Sequence, residues 1–330
     1  MRLILVGALL AGSAVLSPPV PAAGAPGVVR AGPWVLQGWT TLTNDVADQG
    51  VTSIVEPAGH VRVVTRGSGT VPADLRRQGW VHVGDPDSHA GYLLDAYQGR
   101  PNADAKLFVL TAPDGSRSGY VHHLLRGEMF NNSFIAIAPG GQWFVAGEWG
   151  TIRRLLVFAM PGFNLAAPRP GRNLVLAAMI TLTRPMRRVQ GCSFASPTSL
   201  VCSTDDRRAD LYGVAQQILT VQLARPLDGR AVTGAPSLLG AVPHLSACPG
   251  LGETEGIDIH GRHLRLAQVE PTPCRSSTLL YSYSSADSLP GTQHDTPDGV
   301  TAPPLGHLAL PTQDGVLNRR AAEHSHHDPV

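Results

Sequence analysis

The sequence predicts an all-β fold, a β-propeller, and three observations carry that prediction. Glycine and proline number 36 and 28 of 330 residues, which favours many short strands and turns over long helices. Strand–turn–strand units recur, each opened by a small residue: Gly50, Gly84, Ser133, Gly191 and Gly256. Their separations of 34, 49, 58 and 65 residues fit four-stranded blades with loops of varied length. Several units are also followed by two further apolar stretches, which would complete a blade. Five blades are visible, and the length leaves room for a sixth or seventh. A sandwich or barrel with chance hairpin similarity is the competing architecture.

The N-terminus reads as an export signal, residues 1–25. Arg2 is its positive end and Leu3–Leu16 an apolar run too short to span a bilayer. Ala22, Ala23 and Ala25 offer cleavage positions. No later apolar run approaches 18 residues. The expectation is therefore a secreted, extracellular protein with no membrane span, and a monomer. Residues 26–286 are expected to form the propeller. Residues 287–330, rich in Pro, Gly and His, are expected to be a partly flexible tail. The formal charge of +1 supplies no basic field for nucleic acid.

Within the propeller, Pro33–Leu42 reads as a strand that could close the ring. The first unit is Asp48–Gly67, turning at Pro57–Gly59. It is the weak unit, because Ser68–Trp80 hardly holds two more strands. The second, His82–Gly99, is followed by Lys106–Thr111 and Gly119–Leu125. The third, Asn131–Gly150, is followed by Arg154–Met160 and Leu174–Leu182. The fourth, Val189–Asp206, is followed by Gln217–Leu223 and Val232–Leu239. The fifth, Glu253–Glu270, has one clear follower, Ser277–Ser282, so its fourth strand is expected from the N-terminal segment.

The four cysteines of an exported chain are expected to pair, with three connectivities open. Local geometry favours Cys192–Cys202 and Cys248–Cys274. If the Val189–Asp206 hairpin turns at Pro197, Cys192 and Cys202 face each other across antiparallel strands. No C-x-x-C points to a metal or catalytic cysteine.

Candidate chemistry sits where the first strands begin, because that end of a propeller channel opens onto a binding face. The residues just before the anchors include Gln49, Asn132, Gln190 and Glu255, with Asp85 and Asp87 close by. A convergent ring of such oxygens is what a divalent cation such as calcium requires. The alternative is that these groups cap strand ends and bond channel water. Gly84–Ser88 lacks EF-hand spacing and reads as a turn whose aspartates bond the local backbone. Glu148 beside Trp149 could be an acid next to a sugar-stacking ring, or an inter-blade packing tryptophan. His122 and His123 should point to opposite strand faces, and His260 and His263 flank a turn. His324, His326 and His327 form a tail cluster. There is no G-x-S-x-G, Walker A, G-x-G-x-x-G or H-E-x-x-H motif. Paired carboxylates for glycoside hydrolysis could come from Asp85, Glu148, Asp205 and Glu255.

The Glu255-Gly256 opening of ETEGIDIHGRHLRLA resembles the strand-opening Glu-Gly of regucalcin and gluconolactonase-like propellers. The resemblance implies a catalytic divalent metal held in part by Glu255, and the opening of sugar lactones. It covers fewer than 20 residues, and the family's other ligands have no assigned positions here. Over much of the chain, notably HVGDPDSHAGYLLDAYQ, FNNSF and GEWG, the sequence resembles exported propeller proteins of actinobacteria, which implies no activity. Three functions follow as expectations. The first is a propeller binding a small molecule, glycan or protein on its channel face. The others are a lactonase-like, metal-dependent hydrolase and a structural, cell-wall-associated protein.

Overall fold

The computed structural model describes residues 28–56, 59–101, 103–129, 134–163 and 173–285. The expected signal segment, the tail with its histidines and Asn131–Ser133 lie outside them. The chain opens with β1 (Arg30–Ala31), β2 (Trp34–Thr43) and a helical turn, α1 (Asn44–Ala47). β3 (Gly50–Val55) and β4 (Val61–Arg66) form a hairpin. A short helix, α2 (Ala73–Arg77), leads to β5 (His82–Val83), β6 (Asp87–His89), β7 (Tyr92–Gln98), β8 (Ala105–Thr111) and β9 (Arg117–His123). Next come β10 (Ala136–Ile137), β11 (Trp143–Ala146), β12 (Thr151–Ala159) and β13 (Leu176–Arg187). They are followed by β14 (Val189–Ser196), β15 (Ser199–Thr204), β16 (Gln217–Leu223) and β17 (Val232–Ala241). β18 (Glu253–His260), β19 (His263–Val269) and β20 (Ser277–Ser285) end the described fold.

These strands form a propeller with five blades. The innermost elements close a circuit: β3 packs on β6, β6 on β10, β10 on β14, β14 on β18, and β18 on β3. The ring is sealed by antiparallel pairing of β2 with β20, so the N-terminal segment is the outer strand of the last blade. The first blade has two strands, because Ser68–Arg77 forms a 3-10 turn and α2 instead of a third and fourth strand. One feature departs from separate blades. The outer strands β13 and β17 pair in parallel through Ile180–Leu182 and Val232–Gly234, joining two blades into an eight-stranded sheet. Gly234 permits that approach, since a Cβ there would lie 2.8 Å from the Ile180 side chain.

Apolar side chains fill the clefts between blades, as alternating strand patterns require. One cluster joins Phe134, Val145 and Leu155 to Leu200, Leu219 and Val221. A second packs Phe108 against Phe144 and Phe158, ring centroids 5.1 and 5.5 Å apart. A third unites Val201 and Ile218 with Ile257, Leu266 and Tyr281. Both favoured disulfides are present. Cys192 and Cys202 are directly opposed across β14 and β15, with Cα atoms 4.0 Å apart. Cys248–Cys274 joins the loop before β18 to the loop after β19, Cα atoms 6.1 Å apart.

The opening glycines have a packing cause. A Cβ on Gly191 would lie 2.1 Å from the Asp85 carboxylate and 2.8 Å from the Gly256 Cα. A Cβ on Gly256 would meet Asp85 and the Gly50 Cα. The backbones of three blades thus meet around one side chain, and only glycine fits. Gly191→Ala should destabilise the fold by about 3 kcal/mol, the upper end for overpacking, because backbone atoms are among those struck. Urea denaturation checks this; a change under about 0.5 kcal/mol would contradict the packing argument.

Candidate functional site

The entry ends of the inner strands meet on one face of the ring. Long connections gather there: residues 205–216 between β15 and β16, 242–252 before β18, and 270–276 after β19. Several turns on the opposite face are short, such as residues 197–198 and 261–262. Long loops on a rigid scaffold are where binding groups are usually carried.

Asp85 lies on the axis at this mouth and is fully buried. Its Oδ1 accepts the Val51 N–H at 2.9 Å, from β3. Its Oδ2 accepts the Ile257 N–H at 3.1 Å, from β18. Its backbone carbonyl accepts the Ile135 N–H at 3.0 Å, just before β10. Asp87, further along the channel, accepts the Ile137 N–H at 2.6 Å and the Ser88 N–H at 2.7 Å. The expectation of turn aspartates bonding local backbone therefore holds only for the Ser88 contact. The other bonds reach across blades, which the sequence spacing could not show. Burial raises both carboxyls, Asp85 well above the ordinary value and Asp87 to about 7, against the opposing pull of the amides.

This arrangement bears on the expected calcium ring. At Asp85 and Asp87 the structure sets backbone N–H groups against the carboxylate oxygens, where a cation would need those lone pairs. Among the described residues, no three His, Cys, Asp or Glu side chains are grouped to hold a metal. Gln49 contributes its backbone carbonyl to the Gly256 N–H at 3.3 Å. Gln190 is half-buried beside Gly191 on β14. Asn132 lies outside the described residues. Among the described residues, these groups do not fit a multi-oxygen calcium cage.

Glu255 differs from Asp85 and Asp87. It is 4% exposed, yet among the described residues no hydrogen bond or ion pair reaches its carboxyl. The backbone N–H groups beside it are engaged, while Thr254 Oγ1 and, nearby, Gln216 Oε1 are buried without a hydrogen-bond partner. The Thr254 N–H donates to Asp205 Oδ1 at 3.2 Å, and Gly256 and Ile257 to Gln49 and Asp85. Ser203 Oγ donates to the Glu255 backbone carbonyl at 2.6 Å, fixing the strand. Burial pushes the Glu255 carboxyl well above its usual value, and Glu253, Asp205, Asp48 and Asp85 push it further.

Asp205 is a built carboxylate. It accepts Gln216 Nε2 at 2.6 Å and lies 3.4 and 3.5 Å from Arg207 and Arg188. The Arg188 guanidinium also lies 5.7 Å from the centre of the Trp149 ring. Glu148 makes a two-pronged pair with Arg154 at 2.6 and 2.8 Å, so it is not a free acid beside Trp149. His122 and His123 face opposite ways, and His260 and His263 are opposed across the β18–β19 turn.

A buried ionic cluster escaped notice in the sequence. Lys106, the single lysine, is 1% exposed at the start of β8. Its Nζ donates to the Gly147 carbonyl at 2.8 Å and lies 3.4 Å from Glu128 Oε1. His122 Nε2 and the Leu125 N–H bind the other Glu128 oxygen at 2.8 and 3.0 Å. Burial lowers the lysine pKa, opposed by Glu128. The cluster pins the loop after β9 to the next blade. The signal for it was a lone lysine inside an apolar strand.

No protein-family model and no curated protein matches this chain. Among solved structures it is similar to the aldose sugar dehydrogenase of Streptomyces coelicolor in its PQQ-bound form, at 13% identity and TM-score 0.38. That alignment covers 78% of this chain and 97% of that one. It is similar to arabinanase Arb43A of Bacillus subtilis at 10% identity and TM-score 0.36, covering 78% and 95%. A glycosyl hydrolase from Bacteroides ovatus aligns at 9% identity and TM-score 0.37, covering 70% and 75%. Likenesses this distant carry nothing about what this chain binds.

Glu255→Gln tests the electrostatics. A carboxyl whose folded pKa is raised contributes stability that is complete below the unfolded value. That stability is lost as pH rises through the folded value. Glutamine cannot ionise, so the variant should match the parent near pH 4 and melt higher near pH 8. Thermal melts across that range measure it. A parent that melts as high as the variant at pH 8 would refute the raised value.

Proposed function

We propose that this chain is an exported ligand-binding propeller whose site is the channel mouth on the long-loop face, centred on Glu255. The observation that supports this most is the Glu255 side chain, 4% exposed and without a hydrogen bond or ion pair to its carboxyl among the described residues. Polar groups this far buried are normally paired within the protein. An unpaired carboxyl where inner strands from several blades converge is suited to a ligand that supplies the partner. The ligand on this reading is a small molecule, since the position that must be reached is recessed. Export is supported by the two disulfides and by the apolar N-terminal run.

The lactonase-like alternative asks for a divalent metal at the same residues. It is disfavoured because the Asp85 and Asp87 oxygens face backbone amides. The wall-associated alternative has no particular observation in its favour.

The test is a thermal-shift and calorimetric screen of sugars, amines, amino acids and organic acids against the parent and Glu255→Gln. Ligands that stabilise the parent should lose at least about tenfold in affinity, about 1.4 kcal/mol, in the variant. Ligands that bind both equally would place the site elsewhere. A tightly held divalent ion, released by Glu255→Gln with loss of lactone hydrolysis, would favour the metal enzyme instead.

A further inference from the structure

The charges around Glu255 specify a class of ligand. Carboxylates approach it from four blades. Glu253 lies two residues before it on β18. Asp205, at the end of β15, is bonded to the Thr254 N–H. Asp85, before β6, is bonded to the Ile257 N–H. Asp48, after α1, adjoins Gln49, whose carbonyl takes the Gly256 N–H. The nearby cations are committed to other members of the group. Arg188 and Arg207 reach Asp205, and Arg275 reaches Glu253 Oε2 at 2.7 Å. Asp48 Oδ1 is occupied by the Ser68 N–H at 2.7 Å. Glu255 alone has neither a donor nor a counter-charge among the described residues.

We propose that the channel mouth binds a small organic cation, whose protonated amine pairs with the Glu255 carboxylate. This rests on the reading of that face as the ligand site. An ammonium group brings what Glu255 lacks, N–H donors together with positive charge. The surrounding carboxylates stabilise that charge without having to ligate it. A calcium ion would need six or more oxygens at bonding distance, and Asp85 offers its oxygens to amides. A neutral sugar would supply donors but no charge, and would leave the repulsion among these acids unrelieved. An anionic ligand would add to it.

Binding then carries a proton signature. In the free protein burial and the facing carboxylates Glu253, Asp205, Asp48 and Asp85 raise the Glu255 carboxyl well above its usual value. Arg188, Arg207 and Arg275 are the facing cations, and each is paired elsewhere. Pairing with an ammonium ion favours the ionised carboxyl, so amine binding should release protons from Glu255. Amine affinity should therefore rise with pH as the free carboxyl ionises.

The experiment uses the mature chain and four probes: methylammonium, tetramethylammonium, putrescine and neutral acetamide. Calorimetry in two buffers of different ionisation enthalpy measures affinity and proton release together. At least one amine should bind, with proton release, at least about tenfold more tightly than acetamide. Glu255→Gln should lose at least tenfold, and it is expected to fold at least as stably as the parent. Glu253→Gln, which removes the more exposed neighbour, should lose much less. Acetamide binding as tightly as the amines would overturn the proposal, as would unchanged amine affinity in Glu255→Gln. Displacement of the amine by stoichiometric calcium would overturn it in favour of a metal site. If uncharged ligands from the wider screen bind through Glu255 and amines do not, this proposal fails while the site reading stands. If nothing in either set depends on Glu255, both fail.

Discussion

The fold depends on one carboxyl group at the axis. Asp85 belongs to the second blade, and it touches the other four. It accepts amides from β3 and β18, offers its carbonyl ahead of β10, and sits against Gly191 of β14. A propeller has no central strand pairing to hold its inner edges, so something must tie the inner strands to one another. Here a side chain does so with directional bonds, each costing about 1–3 kcal/mol if its acceptor is removed. The glycines at Gly50, Gly191 and Gly256 follow from this constraint, since any side chain there would occupy the space of the Asp85 carboxyl or of the facing backbone.

The clefts between blades are not held in one way. Three large apolar clusters fill other clefts of the ring. The cleft between the first and last blades has a polar clasp. Ser53 Oγ donates to Asp258 at 2.6 Å, and Arg265 reaches both at 2.8 and 3.1 Å. That is where the two-stranded blade sits. With no third and fourth strand, the first blade has less apolar surface to bury, and directional bonds hold it in place. The pairing of β2 with β20 closes the ring next door and brings both ends of the described fold into one sheet.

Much of this architecture was legible, for identifiable reasons. The spacing of Gly50, Gly191 and Gly256 was legible because a Cβ at each would strike Asp85 or the facing backbone. The closing strand was legible because the fifth unit lacked an outer strand and Pro33–Leu42 was available. The hairpin disulfide followed from the opposition of residues 192 and 202. The two-stranded blade was foreshadowed by the composition of Ser68–Trp80. The parallel contact of β13 with β17 was not legible, because it depends on how two blades lean together and not on either strand's pattern. Gln49, Asp85 and Glu255 were legible as neighbours because each stands at the opening of an inner strand. The sequence could not separate an oxygen aimed at amides from one left open, because that depends on neighbouring blades up to 172 residues away in sequence.

That separation divides scaffold from site. Asp85 and Glu255 are both buried acids at the same mouth, and burial raises both. Asp85 returns its desolvation cost through bonds to three other blades, so its chemistry is consumed by the fold. Glu255 returns nothing to the fold through its carboxyl. Its own strand is anchored by backbone groups and by Ser203. A glutamine or an apolar residue of similar volume would serve the architecture as well, without like-charge repulsion from Glu253 and Asp205. A group that destabilises the scaffold it sits in, at the point where the inner strands converge, has no folding role to explain it, and that is the ground for the proposed ligand site.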